Sequence, residues 1–140
     1  MDNFTIDNMN FTPGEVLSMQ PLALAFIGDA VYEIYIRNYV MKKGFRTINS
    51  MHVEAIKYVK AASQSKAVKI LLNELEPEEA NVVRRGRNAN PHTVPKNADV
   101  GDYRYATGFE SLCGYLYLMK KQERLEYLIG RVIGIINGEI

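Results

Sequence analysis

Between Leu22 and Ile36 the chain carries only two charged side chains, Asp29 and Glu33, in the run LALAFIGDAVYEIYI. A helix this apolar on every side belongs in the middle of a core. Pro21 suits its first turn, and Gly44 after Lys42 and Lys43 supplies a stop. A second run, YATGFESLCGYLYL over residues 105–118, has Glu110 as its only charged residue and makes the same demand. Two buried helices need others to cover them, and 140 residues accommodate one domain of that kind.

The covering segments also read as helices. Ser50 can cap one, with Glu54 nearby, and Ala61–Leu75 continues or restarts it after a kink near Ser63. Pro77, Glu78 and Glu79 open a short helix closed by Arg84, Arg85 and Gly86, with acid first, base last and glycine after. Asp99 or Asp102 can cap the helix centred on 105–118. The last helix runs from about Gln122 to Asn137, with Leu125, Leu128, Ile129, Val132, Ile133 and Ile136 inward. No stretch reads as a strand, so the expected fold class is all-α. Residues 1–18, polar and Asn-rich, read as a loosely ordered N-terminal segment ahead of a single domain over 19–140.

Several chemistries are excluded by what the chain lacks. Cys113 is the only cysteine, so no intrachain disulfide can form and a reducing, cytoplasmic home is expected. Its apolar helical setting points to a structural thiol rather than a nucleophile. The only histidines, His52 and His92, have no adjacent Asp, which argues against a His-Asp metal hydrolase. No Gly-rich phosphate loop, signal peptide or membrane-spanning run is present. A formal net charge of +1 favours neither an acidic nor a basic partner.

The lone acids are informative because burying an unpaired carboxylate is costly. Asp29 and Glu33 are four residues apart and share a helix face. Were that face to meet Glu110, the two helices would present an acidic site suited to Mg²⁺, which takes oxygen ligands and keeps several waters. Gly28 beside Asp29, and Gly108 and Gly114 flanking Glu110, favour the close helix approach this requires. The plainer alternative is that these acids face solvent or pair with Arg37 and Arg104.

A second constellation lies in residues 84–105. Arg84, Arg85, Arg87 and Lys96 come without an intervening acid up to Lys96; Asn88, Asn90, His92 and Asn97 add polar side chains, and Tyr103 and Tyr105 follow. Residues 88–102 show no helical period, and a loop of that length in so small a domain tends to be functional. Arginine forks, amides and loop backbone are the groups that grip phosphate and ribose. For Arg84 and Arg85, completing a helix C-terminus is an equally good explanation.

These strings carry a family likeness. ALAFIGDAVYE resembles the signature helix of ribonuclease III nuclease domains, and ATGFESLCGYLYL resembles that fold's second signature. RRGRNANPHTVPKN with DYRYATGFE is similar to the Mini-ribonuclease III branch, which lacks a double-stranded-RNA-binding domain. The likeness covers about residues 19–135. It implies a homodimeric, ribonuclease III-type helical nuclease in which Asp29 and Glu110 hold a catalytic Mg²⁺ in each protomer. It further implies that double-stranded RNA lies in a valley between protomers and is cut to leave 5′-phosphate and 3′-hydroxyl ends. The implied task is trimming the 23S ribosomal RNA precursor, and a large-subunit ribosomal protein presenting that precursor is a plausible partner. Arg84, Arg87, Asn88, Lys96, Asn97 and Tyr103 are the candidate RNA-binding residues.

Full-length ribonuclease III has two further acids, where this chain has Leu22 and Thr107. The metal is left with fewer protein ligands, and Glu33 is the candidate substitute. The rival function is a non-catalytic RNA-binding or ribosome-assembly factor on the same fold, distinguished by needing no Mg²⁺ and making no new RNA ends. A helical dimer with no RNA role would bind no double-stranded RNA even at low salt. Phe109, Leu112 and the tyrosines are candidates for either a dimer interface or the core.

Overall fold

The computed structural model describes residues 4–89 and 93–139 and is helical, with no strand among the described residues. Seven α-helices follow in order: α1 (Pro13–Leu17), α2 (Pro21–Lys42), α3 (Ile48–Val59), α4 (Ala61–Leu71), α5 (Pro77–Asn88), α6 (Val100–Leu118) and α7 (Gln122–Ile136). Short 3-10 turns cover Ile6–Asn8 and Leu72–Glu74.

The two apolar runs form the centre. α6 packs against α2, α4, α5 and α7 and buries ten residues, including Phe109, Leu112, Cys113 and Leu116. Phe109 and Leu112 are each 1% exposed, which assigns them to the core. Tyr32 of α2 meets Phe109 edge-on, with ring centroids 5.0 Å apart. Its hydroxyl donates to the Tyr58 carbonyl at 2.8 Å, giving the buried ring's polar tip the partner it needs.

Several helix boundaries differ from the sequence expectation, each for a local reason. Thr47, not Ser50, caps α3; Ser50 is the reciprocal partner in the capping box. The chain breaks between α3 and α4 at Lys60, which is extended (φ −65°, ψ 148°), and runs through Ser63 without a kink. Gly86 does not stop α5, which continues to Asn88; that glycine is a packing position instead. Asp99 caps α6 by accepting from the Asp102 amide at 2.9 Å. Ile135 joins the buried face of α7, while Ile133 and Ile136 are half-buried.

Within residues 4–18, Thr12 and Glu15 form a capping box that starts α1, and Val16 is fully buried. Buried charge is paired. Glu79, 5% exposed, receives two bonds at 2.9 Å from Arg124, tying α5 to α7. Glu54 holds both Lys43 and Lys57 at 2.7 Å.

Candidate active site

The site sits where α2 crosses α6, and glycine sets the crossing distance. A Cβ on Gly28 would lie 1.7 Å from the Glu110 carbonyl oxygen and 2.6 Å from the Gly114 nitrogen. A Cβ on Gly114 would lie 2.0 Å from the Leu24 carbonyl oxygen. No larger residue fits at either place, so the two backbones touch. Asp29 follows Gly28, and contact with the backbone of Glu110 brings the two acids together.

Asp29 is exposed and Glu110 half-buried, so the pair opens to solvent on one side. Burial pushes the Glu110 carboxyl up to about 8, and the neighbouring Asp29 charge and a hydrogen bond to Asp29 act in the same direction. The nearby Gln64 amide opposes the rise, while Glu33 adds a smaller push upward. Two carboxyl groups in one small space cannot both ionise freely. Glu110 therefore keeps a proton at neutrality unless a cation takes its place.

The other acids are committed elsewhere or missing. Glu33 pairs with Arg37 of its own helix at 3.1 Å. Thr107 spends its hydroxyl on the Tyr103 carbonyl at 2.9 Å. Leu22 is half-buried. No group of three or more His, Cys, Asp or Glu able to hold a metal occurs among the described residues. The pair still suits a hard divalent cation of the kind that keeps most of its waters.

The basic residues divide. Arg87 lies over the Tyr105 ring, 5.5 Å from its centroid, and reaches the Tyr105 hydroxyl at 3.4 Å and the Asn88 side chain at 3.2 Å. Lys69 of α4 stands on the same ring at 4.7 Å. Arg84 is exposed and hydrogen-bonded to Asn81. Arg85 donates to the Met19 carbonyl at 3.3 Å, a structural link between α5 and the start of α2. Lys96 and Asn97 are exposed in a turn closed by Ala98 N–H to the Pro95 carbonyl at 3.0 Å. Tyr103 is half-buried in the first turn of α6. Asn90 and His92 lie outside the described residues. Lys69 carries no sequence signal of its place on the Tyr105 ring, since a lysine in a mixed helix gives no sign of what it will face.

The arrangement has known counterparts. Residues 22–121 match the model of the Ribonuclease III domain, a span that includes Asp29, Glu110 and the basic segment. The Mini-ribonuclease 3 of Thermoanaerobacter sp. (strain X514) is 49% identical over 122 residues, which is 87% of this chain and 86% of that one. That of Enterococcus faecalis is 53% identical over 110 residues, 77% of this chain and 83% of its own. A crystal structure of a Fusobacterium nucleatum protein superposes with a TM-score of 0.77 at 33% identity, covering 88% of this chain and 96% of that one. The paired acids at a glycine crossing, the helical frame around them and these likenesses agree: the chain belongs to the ribonuclease III family of endoribonucleases.

Proposed function

We propose that the protein is a Mg²⁺-dependent endoribonuclease that cuts double-stranded RNA at the Asp29–Glu110 pair. The observation that carries this reading is the glycine-enforced contact of α2 with α6 at Gly28 and Glu110, which puts Asp29 and Glu110 at one helix crossing. Asp29 and Glu110 would hold the cation, with water completing its shell and Glu33 a further candidate ligand once released from Arg37. Bound there, the ion supplies an activated water and charge stabilisation for phosphodiester hydrolysis, leaving 5′-phosphate and 3′-hydroxyl ends. Asp29 is exposed and Glu110 half-buried, and a cation held by the two would take the place of the proton on Glu110.

Arg84, Arg87, Asn88, Lys96, Asn97 and Tyr103 would grip phosphates and sugars around the cut. Arg87 is the best supported, being already oriented by Tyr105 and Asn88. A-form RNA shows 2′-hydroxyls in a shallow minor groove and hides its major-groove edges, so recognition is by shape. The family likeness supports the 23S ribosomal RNA precursor in the cytoplasm as the proposed substrate, with a large-subunit ribosomal protein as the proposed helper. It also supports a homodimer as the proposed working form. Support for that lies on α2, where Phe26 is 84% and Ile34 67% exposed, apolar surface that a second copy would cover.

The test is cleavage of a structured double-stranded RNA with and without Mg²⁺, beside Asp29→Asn. Mg²⁺-dependent product that disappears in the variant is the expected result. Activity retained by folded Asp29→Asn would overturn the assignment.

A further inference from the structure

Two stretches of the chain are basic without any acid between. Residues 55–73 carry Lys57, Lys60, Lys66 and Lys69, and residues 80–98 carry Arg84, Arg85, Arg87 and Lys96. Together they hold eight of the 17 Lys and Arg and none of the 16 Asp and Glu, in a chain whose net charge is only +1. Such clustering creates a local positive field that the total conceals. The first stretch contains α4 and the second most of α5, and both helices pack on α6.

The two stretches meet at Tyr105 of α6. Lys69 Nζ stands 4.7 Å from the ring centroid and the Arg87 guanidinium 5.5 Å, so one ring attracts both cations. The charges are therefore no more than about 10 Å apart, the sum of those distances and about one Debye length at 0.1 M salt. They repel one another, and neither pairs with a carboxylate among the described residues. An aromatic ring steadies a cation without cancelling its charge, which leaves the Lys69 ammonium free to meet an anion. Lys69 is exposed, and so is Lys66, three residues earlier on the same face of α4. A cation in the last turn of α4 suits the helix dipole, but the dipole does not require it to stand on a ring that already holds Arg87.

We propose that Lys69 grips the RNA backbone beside Arg87, with Tyr105 orienting both cations, so that the phosphate track runs from the end of α5 onto α4 and toward Lys66. The proposal rests on the reading of the protein as a nuclease of double-stranded RNA with Arg87 as a phosphate contact. A nucleic-acid strand is a row of anions, and a row of cations drawn from two helices matches it, where a single small anion would leave most of them unmet. Lysine suits this place because its ammonium is a point charge that accepts a phosphate from many directions.

The experiment follows binding of a fluorescein-labelled double-stranded RNA by anisotropy, without divalent cation so that no strand is cut, between about 50 and 200 mM salt. Wild-type protein is compared with Lys69→Ala, Lys69→Arg and Lys42→Ala, the last removing an equal charge from the exposed end of α2. Circular dichroism melts check that each variant folds, and Lys69→Gln takes the place of an alanine variant that does not. Lys69→Ala is expected to bind about five- to tenfold more weakly at low salt and to lower the slope of log affinity against log salt by about one. Lys69→Arg should keep both quantities, and Lys42→Ala should leave both near wild type. A folded Lys69→Ala within about twofold of wild type, or no weaker than Lys42→Ala, would overturn the role of Lys69 while leaving Arg87 and the nuclease reading standing. Wild-type protein that binds no double-stranded RNA at low salt would overturn both.

Discussion

Glu110 is the residue whose charge depends most on what is bound beside it. Its carboxyl is raised from 4.5 to about 8 in the cation-free fold. The folded state therefore holds a proton that the unfolded chain releases, and by linkage this stabilises the fold fully below the unfolded value. The contribution declines as pH rises from about 4.5 and is gone above about 8. Thermal melts of metal-free protein should show that decline, and Glu110→Gln should flatten it. Because a cation has to displace the same proton, Mg²⁺ should bind more tightly, and cleavage run faster, as pH climbs toward about 8. A cleavage profile flat from pH 6 to 8 would contradict that role for Glu110. Arg87 belongs to the same scale. Arg87→Ala should weaken RNA binding at all sequences alike and lower the slope of log affinity against log salt by about one. Both residues stood out in the sequence as an isolated acid and a loop-side base. Their consequences, a raised carboxyl and an arginine steadied on Tyr105, depend on neighbours from other helices.

Between elements, small residues do what side-chain packing does elsewhere. α5 also meets α6 closely, though less so than α2: a Cβ on Gly86 would lie 2.9 Å from the Gly108 Cα, and one on Gly108 2.6 Å from the Val83 carbonyl oxygen. α6 is thus gripped from two sides by backbone contact. Gly28→Ala should force α2 off α6, costing about 3 kcal/mol or more and lowering the melting temperature by on the order of 10 °C. Cleavage should fall further than stability does, since the carboxyl groups separate. Calorimetry and a rate measurement on the folded fraction would check both. Gly86 illustrates why sequence misjudged this scale. After two arginines it has the look of a helix stop, and only the approach of Gly108 and Ser111 shows why helix continues through it. Glu79 was equally hidden, since its partner Arg124 is 45 residues away. Arg124→Ala should leave that buried carboxylate unpaired at a cost of about 3 kcal/mol, read as a lower urea midpoint.

Helices surround α6, with Asp29 and Glu110 at its crossing with α2 and exposed apolar side chains on α2. Exposed Phe26 and Ile34 are unfavourable in water, and a second copy is the simplest cover for them. Phe26→Glu should give a monomer by light scattering with an unchanged far-ultraviolet spectrum; a persistent dimer would place the interface elsewhere. Composition alone decided much at this scale. Two helices so free of charge must be central, and their isolated acids must be either paired or functional. Those conclusions follow from solvation energies, which each residue carries with it. Tertiary structure decided the rest: that Asp29 is open to water while Glu110 is half covered, and that Thr107 turns its hydroxyl to its own helix. Which acid is covered depends on the distance between helices far apart in the chain. Gly28 and Gly114 announce that two backbones come close, but not which ones.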